Sequence, residues 1–271
     1  MSRAWTVMGV VNVTPDSFSD GGLWLDAEAA VAHGVELYEQ GAAILDVGGE
    51  STRPGAEPVG AEEELRRVVP VLDGLRERAL GAVLSIDTSK LAVARAALDA
   101  GATYVNDVTA FRHEPGLAAL VAETGADCCL MHMQGEPRTM QADPSYGDVV
   151  DDVRAFLEER AAFAVAEGVE PERIQVDPGI GFGKTLAHNV TLLRRLDEIA
   201  ALGFPVVVGV SRKSFLGALT GREVAADRVA ATVAANVLAY ERGARVFRVH
   251  DVPATVDGLK VAAGTLPGDD A

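Results

Sequence analysis

Polar side chains follow almost every short apolar run in this sequence. They are Asn12, Asp46, Asp87, Asn106 with Asp107, His132, Asp177, Ser211 with Arg212 and Lys213, and His250. A single residue of this kind could simply cap the next helix, but a repeat along the whole chain is hard to explain in that way. If the runs are parallel strands, these carboxylates, amides and cations meet at one end of the fold. That mixture suits a small, polar and charged ligand.

Two segments carry cations suited to an anion. Arg248 and His250 lie two residues apart and share a face on an extended strand, so both could donate to a phosphate; a salt bridge is the alternative. The segment Ser211–Ser214 leads from an apolar run into a predicted helix. Its two serines and two cations at a helix N-terminus predict an anion site.

Two polar loops follow the first two apolar runs. Residues 12–22 contain a proline and a Gly-Gly pair, which favour a mobile lid carrying Asp16, Phe18 and Asp20. In residues 50–55, Arg53 can reach back over the site. Neither loop has enough apolar content to belong to a core.

Other motifs are weaker. The glycine-rich segment 177–185 has Pro178 and Lys184 where the two common nucleotide-binding patterns need glycine, so we expect only a flexible loop beside Asp177. The histidines at 33, 113 and 188 stand alone and are interpreted as surface or packing residues, and a structural role is favoured for His132. Adjacent Cys128 and Cys129 are expected to be small core residues and not a disulfide.

Strands and helices must position these polar groups, and the spacing of apolar residues predicts where those elements lie. Eight apolar runs are predicted strands: Val7–Val11, Ala43–Val47, Val83–Ile86, Thr103–Val105, Asp127–Met131, Ile174–Val176, Val206–Val210 and Val246–Val249. Helical periodicity lies between them, for example in Glu62–Ala79, with a kink expected at Pro70, and in Asp148–Glu167, with Gly168 as its stop. This alternation predicts a single-domain (β/α)8 TIM barrel over residues 1–266 with a short tail at 267–271. A doubly wound sheet is the alternative.

Composition excludes several classes of protein. The 271 residues carry 24 Lys and Arg against 40 Asp and Glu, for a net charge of -16. This acidity argues against a nucleic-acid-binding protein and against a polybasic membrane-surface protein. Without a long apolar span or a signal-peptide pattern, the chain is expected to be soluble and cytoplasmic, with no membrane partner.

Taken together, the motifs resemble those of the dihydropteroate synthase family. The matching segments run in family order along the chain: 12–22, 46–55, 86–88, 105–107, 130–135, 177–184, 211–213 and 248–251. The resemblance implies a TIM barrel that joins a dihydropterin diphosphate to 4-aminobenzoate and releases diphosphate. It also implies Mg²⁺ as cofactor, a homodimer, and a role as a sulfonamide target.

The resemblance also assigns roles. Pterin-binding residues would be Asp87, Asn106, Val108, Met131, Asp177, Phe182, Gly209, Lys213 and Arg248. Diphosphate-binding residues would be Asn12, Thr52, Arg53, Arg248 and His250, with Asn12 also the metal ligand. Aminobenzoate-binding residues would be Phe18, Thr52, Pro54 and Ser214. Catalytic residues would be Asp16, Asp20, Arg53 and Lys213, with Asp20 stabilising a pterin-methyl cation.

Two other functions are weighed against this one. A pterin-binding methyltransferase would share the barrel and the pterin edge but would not need the anion site at residues 211–213 or both loops. A non-catalytic pterin-binding paralogue would be expected to have lost Asn12, Arg53, Lys213 or His250, and all four are present. Both alternatives are therefore disfavoured.

Overall fold

Eight parallel strands close into a barrel in sequence order, with β1 paired to both β2 and β8. The computed structural model describes residues 5–14, 23–52, 55–136 and 138–265. The strands are β1 Thr6–Asn12, β2 Ile44–Gly48, β3 Val83–Asp87, β4 Tyr104–Asp107, β5 Asp127–Met131, β6 Ile174–Asp177, β7 Val206–Val208 and β8 Ala244–Val249. The closed barrel confirms the predicted fold and excludes the doubly wound sheet.

Helices cover the outside of the barrel. They are α1 Leu23–Glu39, α2 Ala61–Arg78, α3 Leu91–Asp99, α4 Gly116–Thr124, α5 Val149–Ala166, α6 Leu186–Arg194, α7 Leu196–Ala200, α8 Ser214–Thr220, α9 Val229–Glu241 and α10 Val252–Thr265. Short 3-10 turns at Pro171–Arg173 and Ala225–Arg228 precede β6 and α9. No helix among the described residues is long and apolar enough to cross a membrane.

Strand residues alternate between two apolar layers. Outward-facing side chains such as Val7, Val11 and Cys128 join the large core between barrel and helices. Inward-facing ones fill the barrel as a separate cluster, the barrel plug, made of Met8, Ile44, Tyr104, Cys129, Val207 and Val246. The adjacent cysteines therefore face opposite layers, and both are free and buried, as the sequence predicts.

The alternation also positions the polar strand ends. Two residues beyond the plug residues Ile44, Tyr104 and Val246, the inward-facing residues are Asp46, Asn106 and Arg248. Strand register aligns Gly48 of β2 with Asp87 of β3, and Asp87 with Asn106 of β4. A polar layer thus lies directly above the apolar plug, at the carboxyl ends of the strands.

Three local expectations have different outcomes. Helix α5 begins after Asp148, whose carboxylate accepts from Val150 N and Asp151 N, and Gly168 follows it with a φ of 102°, as predicted. Strand β7 ends at Val208 and not at Val210. Helix α2 runs through Pro70 without a break, with the buried Val68 and Val71 on either side of it, and the kink expected there stays a prediction.

Candidate active site

Asp46 is the centre of the polar layer above the plug. Its buried carboxylate accepts hydrogen bonds from Ser85 Oγ at 2.5 Å, Asn106 Nδ2 at 3.0 Å and Arg248 Nε at 2.6 Å. Charged hydrogen bonds of this kind hold their partners firmly in a region that excludes water. Asp46 therefore fixes the orientation of two predicted pterin-binding side chains, Asn106 and Arg248.

Arg248 connects this centre to Asp87. Its Nη2 donates to Asp87 Oδ2 at 2.7 Å. Burial opposes the charge of the guanidinium, but Asp46 and Asp87 together raise the pKa of Arg248 above its usual value. Burial raises the pKa of Asp87 to about 7, against the influence of Arg248. The salt bridge that the sequence analysis left open for Arg248 is therefore present, and Asp87 is a carboxyl that can titrate near neutral pH.

Gly209 marks the place where three other predicted residues converge. A Cβ atom at this position would lie 3.9 Å from Arg248 Cβ, from Asp177 Oδ2 and from Lys213 Nζ. Burial raises the pKa of Asp177 and lowers that of Lys213 to about 8, while each opposes the shift of the other. The lack of a side chain at Gly209 leaves room above this group for a flat ligand.

An apolar wall borders the polar layer. Val108, Met131 and Phe182, all predicted to contact the pterin, belong to one cluster with Met133 and Met140. Lys213 Nζ lies 4.5 Å from the centroid of the Phe182 ring, a cation–π contact, and donates to the carbonyl of Ile180. All the predicted pterin-binding residues thus lie in one connected arrangement.

Apart from Arg248, the described residues predicted for the diphosphate and the aminobenzoate lie at the rim of the barrel. Asn12 ends β1 in register with Gly48, and Thr52 is half-buried in the loop after β2. His250 N donates to Ser211 Oγ at 3.1 Å, and its Nδ1 lies 3.0 Å from the same oxygen. Ser214 is the exposed first residue of α8.

The anion site expected at residues 211–214 includes one cation fewer than predicted. Arg212 adopts a left-handed backbone, with a φ of 57°, and its Nε donates to Asp251 Oδ2 at 2.8 Å. Its charge is therefore engaged with Asp251, whereas Lys213 next to it faces the site. Asp16, Phe18, Asp20, Arg53 and Pro54 lie outside the described residues, so their roles stay predictions.

The loop between β6 and α6, residues 178–185, differs from the flexible loop that was expected. Its successive carbonyls from Ile180 to Lys184 each accept a hydrogen bond from a side chain. The donors are Lys213 for Ile180, Gln141 for Gly181, Lys184 for Phe182, Tyr146 for Gly183 and Asn189 for Lys184. Side chains from the loop itself and from several other elements therefore hold this loop, which argues against the expected flexibility.

The supporting roles of Asp46, Ser85 and Lys184 are not predicted from the sequence, although Asp46 is one of the polar strand ends. Asp46 and Ser85 could have been found as polar residues inside otherwise apolar strands, since a buried polar group needs a partner. Lys184 is buried next to His132, and no spacing in the sequence indicates that contact. Among the described residues no cluster of three or more His, Cys, Asp or Glu side chains could hold a metal ion.

Comparison with known proteins agrees with this geometry. Residues 8–250 match the family described as "Pterin binding enzyme". The chain belongs to this family. Within it, the chain is 49% identical over 257 residues to dihydropteroate synthase of Neisseria meningitidis serogroup C, covering 94% of this chain and 90% of that protein. It is 46% identical to dihydropteroate synthase of Escherichia coli K12, covering 96% and 91%.

Solved structures of family members are equally similar. The Xanthomonas albilineans dihydropteroate synthase with 4-aminobenzoic acid superposes with a TM-score of 0.90 at 52% identity, covering 97% of this chain and 94% of that one. The structure of the same species' enzyme with 7,8-dihydropteroate has a TM-score of 0.86 at 48% identity, covering 98% and 97%. The Yersinia pestis enzyme in a sulfonamide drug complex has a TM-score of 0.90 at 44% identity, covering 97% and 94%. The predicted membership of the dihydropteroate synthase family is confirmed.

Proposed function

We propose that the mouth of this barrel condenses (7,8-dihydropterin-6-yl)methyl diphosphate with 4-aminobenzoate, giving 7,8-dihydropteroate and diphosphate. The observation that carries the proposal is the convergence of Asp177 Oδ2 and Lys213 Nζ beside Gly209, next to the base of the Arg248 side chain. A transferase of folate biosynthesis needs a carboxylate for the pterin and cations for the diphosphate at one place. Family membership supports the same reaction.

Pterin recognition uses the polar layer and the apolar wall. The amino-pyrimidinone edge of a pterin presents neighbouring donors, which Asp177 accepts as a carboxylate. Asp87, Asn106 and Lys213 complete the polar contacts, and Val108, Met131 and Phe182 contact the flat face of the ring. Because Asp46 holds Asn106 and Arg248, the site is ordered before the ligand binds.

The chemical step breaks the bond between the pterin methylene carbon and the diphosphate oxygen, and the oxygen leaves with the electron pair. The aminobenzoate nitrogen forms the new bond to that carbon and loses a proton. Since an arylamine is a weak nucleophile, stabilisation of the leaving group dominates, and Thr52, Arg53, Arg248 and His250 supply donors for it. Asp16 and Asp20 act from the loop after β1, where Asp20 stabilises positive charge on the pterin methylene.

The second substrate binds at the rim. Phe18, Thr52 and Pro54 contact the aminobenzoate ring, and Ser214 at the start of α8 meets its carboxylate. The structure of the Xanthomonas albilineans relative with 4-aminobenzoic acid supports a site for this compound in the family. A sulfonamide, which has the shape of aminobenzoate, is expected to compete here, as the drug complex of the Yersinia pestis relative suggests.

Mg²⁺ is the proposed cofactor, with Asn12 as its protein ligand. The described residues offer no cage of carboxylates, which fits an ion that keeps most of its waters and binds through substrate phosphates. An amide oxygen at the end of β1 is a suitable donor for such an ion. When bound, Mg²⁺ would neutralise charge on the departing diphosphate.

We further propose a cytoplasmic homodimer that binds neither nucleic acid nor membranes. An apolar groove between α6, α8 and α9 is a candidate surface for the second copy, and it is lined in part by Leu193, Phe215, Leu219 and Leu238. Leu219 and Leu238 are 57% and 42% exposed. Light scattering on the purified protein and a Leu238→Glu variant tests the dimer, which the introduced charge is expected to weaken.

One assay tests the reaction. Purified protein is incubated with the pterin diphosphate, 4-aminobenzoate and Mg²⁺, and dihydropteroate and diphosphate are measured together. We expect equal amounts of both products, and none when the protein, either substrate or Mg²⁺ is omitted. Folded protein that forms no dihydropteroate would overturn the proposal. In the same assay Asp20→Ala is expected to lose turnover with little change in pterin diphosphate affinity, and unimpaired turnover would contradict the role of Asp20.

A further inference from the structure

The β6–α6 loop is pressed against the segment that follows β5. A Cβ atom on Gly179 would lie 1.8 Å from the carbonyl oxygen of His132, and one on Gly183 would lie 2.6 Å from that of Gln134. Gly179 and Gly183 have φ values of 65° and 60°. Only glycine allows two backbones to approach this closely with such angles, so the relative position of the two segments is narrowly defined.

Lys184 joins the two segments from inside. Its side chain is 3% exposed, and its Nζ lies 2.8 Å from His132 Nδ1, 3.0 Å from the carbonyl of Phe182 and 3.4 Å from the carbonyl of His132. One ammonium group therefore contacts both sides of the close approach. Its bond to the Phe182 carbonyl fixes the backbone of the residue that forms the apolar wall.

His132 is held in place to receive this contact. The edge of its ring meets Phe156 with centroids 4.8 Å apart, and Tyr146 lies on another side at 5.9 Å. Burial, with help from Lys184 and Arg112, lowers the pKa of His132 to about 2, so the ring is neutral and its Nδ1 can accept from a charged Lys184. His132 is thus a fixed acceptor and not a proton carrier.

Lys184 also lies behind the predicted pterin carboxylate. The Gly179 N–H donates to Asp177 Oδ1 at 2.7 Å, and the Cβ position of Gly179 is 3.4 Å from Lys184 Nζ. Burial lowers the pKa of Lys184 to about 7, while Asp177 favours its charged form. Displacing Lys184 would therefore move the backbone of Phe182 and change the electrostatic environment of Asp177.

We infer that Lys184 is a positioning residue for pterin recognition. Through His132 and the Phe182 carbonyl it sets the position of the apolar wall relative to the polar layer, and it sets the orientation of Asp177. This inference rests on the proposed function. Lys184 does not touch the substrate in this assignment. Its effect reaches the ligand only through the loop, so pterin affinity depends on it and aminobenzoate affinity does not.

Lys184→Met tests the inference because methionine is an unbranched side chain only one atom shorter than lysine and removes all its donors. We expect about a tenfold increase in the Kd of a pterin ligand, measured by calorimetry, and a similar increase in the KM for the pterin diphosphate. The KM for aminobenzoate and kcat at saturation are expected to stay within about twofold. Lys260→Met, on the exposed face of α10, is the matched control.

A pair of His132 variants tests the same contact from the acceptor side and decides the question if Lys184→Met does not fold. His132→Asn places an amide oxygen near the position of Nδ1 and is expected to keep pterin affinity within about twofold, whereas His132→Leu should lose about tenfold. Unchanged pterin affinity in folded Lys184→Met, or in His132→Leu, would overturn the inference. Equal losses for both substrates would also overturn it, because they indicate a purely structural role. If the wild-type protein binds the pterin ligand but forms no dihydropteroate, the proposed function fails and the Kd comparison still decides the role of Lys184.

Discussion

Two loops at the barrel mouth carry predicted substrate contacts, and they are held in different ways. In the β6–α6 loop, residues 178–185, side chains bond to the carbonyls along its length. In the β2–α2 loop, of which residues 49–52 and 55–60 are described, Arg138 Nη2 donates to Glu57 Oε1 at 3.3 Å, and Glu50 makes two contacts at the base. Glu50 Oε1 accepts from Val59 N at 2.8 Å, and Glu50 Oε2 accepts from Lys90 Nζ at 2.6 Å.

The difference matches the tasks proposed for the two loops. A pterin ring needs an apolar wall at a fixed distance from the polar layer, and a loop bonded along its length provides one. The diphosphate and the aminobenzoate must enter and leave, and the contacts of Glu50 at the base of the β2–α2 loop keep Thr52 near the rim. The loop that is bonded along its length is thus the one assigned to the ligand of constant shape.

The largest contrast is expected from one substitution made in each loop. Gly179→Ala places a Cβ atom 1.8 Å from the His132 carbonyl oxygen at a φ of 65°, whereas Gly55→Ala, at a φ of 82°, meets no atom of the described residues within 4 Å. We expect Gly179→Ala to lower the free energy of unfolding by at least about 3 kcal/mol and Gly55→Ala by about 1 kcal/mol. Urea denaturation of both variants measures the difference. Equal losses would show that the two loops are constrained alike.

Asp177→Asn removes the carboxylate charge at the start of the β6–α6 loop. The amide keeps one acceptor oxygen but cannot accept a pair of donors as a carboxylate does, so pterin binding should weaken by about 1–3 kcal/mol. Calorimetry with a pterin ligand measures this loss, and an unchanged Kd would reject the role of Asp177. The KM for aminobenzoate is the internal control, because that substrate is assigned to the other loop.

The pH dependence of binding should also separate the two substrates. The pKa of Asp87 is raised to about 7, so lowering the pH through 7 protonates it and removes an acceptor from the pterin site. Pterin affinity should therefore fall by up to about tenfold per pH unit below 7. Titrations from about pH 8 to 5.5 measure the slope, and Asp87→Asn should flatten it. A slope that persists in Asp87→Asn belongs to another group.

The smallest effect is expected at the base of the β2–α2 loop. Glu50→Gln keeps an acceptor for Val59 N but weakens the pair with Lys90, which retains Glu64 Oε2 at 2.6 Å. Because this ion pair is partly exposed, the loss of stability should be about 1 kcal/mol or less. The KM for aminobenzoate should rise a few-fold while the Kd of the pterin ligand is unchanged. A larger effect on the pterin than on aminobenzoate would reverse the proposed division of tasks.

The sequence predicts the framework of the fold because burial and alternation are local properties. Apolar runs such as Ile174–Val176 and polar strand ends such as Asn106 and Asp177 indicate both the barrel and the end that carries the site. The residues that those strand-end side chains contact depend on the register between strands that are distant in the sequence. The contacts of Arg248 with Asp46 and of Lys184 with His132 join residues 202 and 52 positions apart. For the same reason the sequence predicts a flexible loop at 177–185, since most of the donors to its carbonyls come from other elements.

The burial of the two native cysteines makes it practical to label the β2–α2 loop through an introduced cysteine. They are the only thiols in the sequence, and both are buried on opposite faces of β5. Burial raises the pKa of Cys128 to about 12 and that of Cys129 well above its usual value, so neither forms the reactive thiolate near neutral pH. A cysteine introduced at the exposed Gly55 would therefore be alkylated selectively in the otherwise unaltered chain. A fluorophore attached there would report substrate entry without removal of either native thiol.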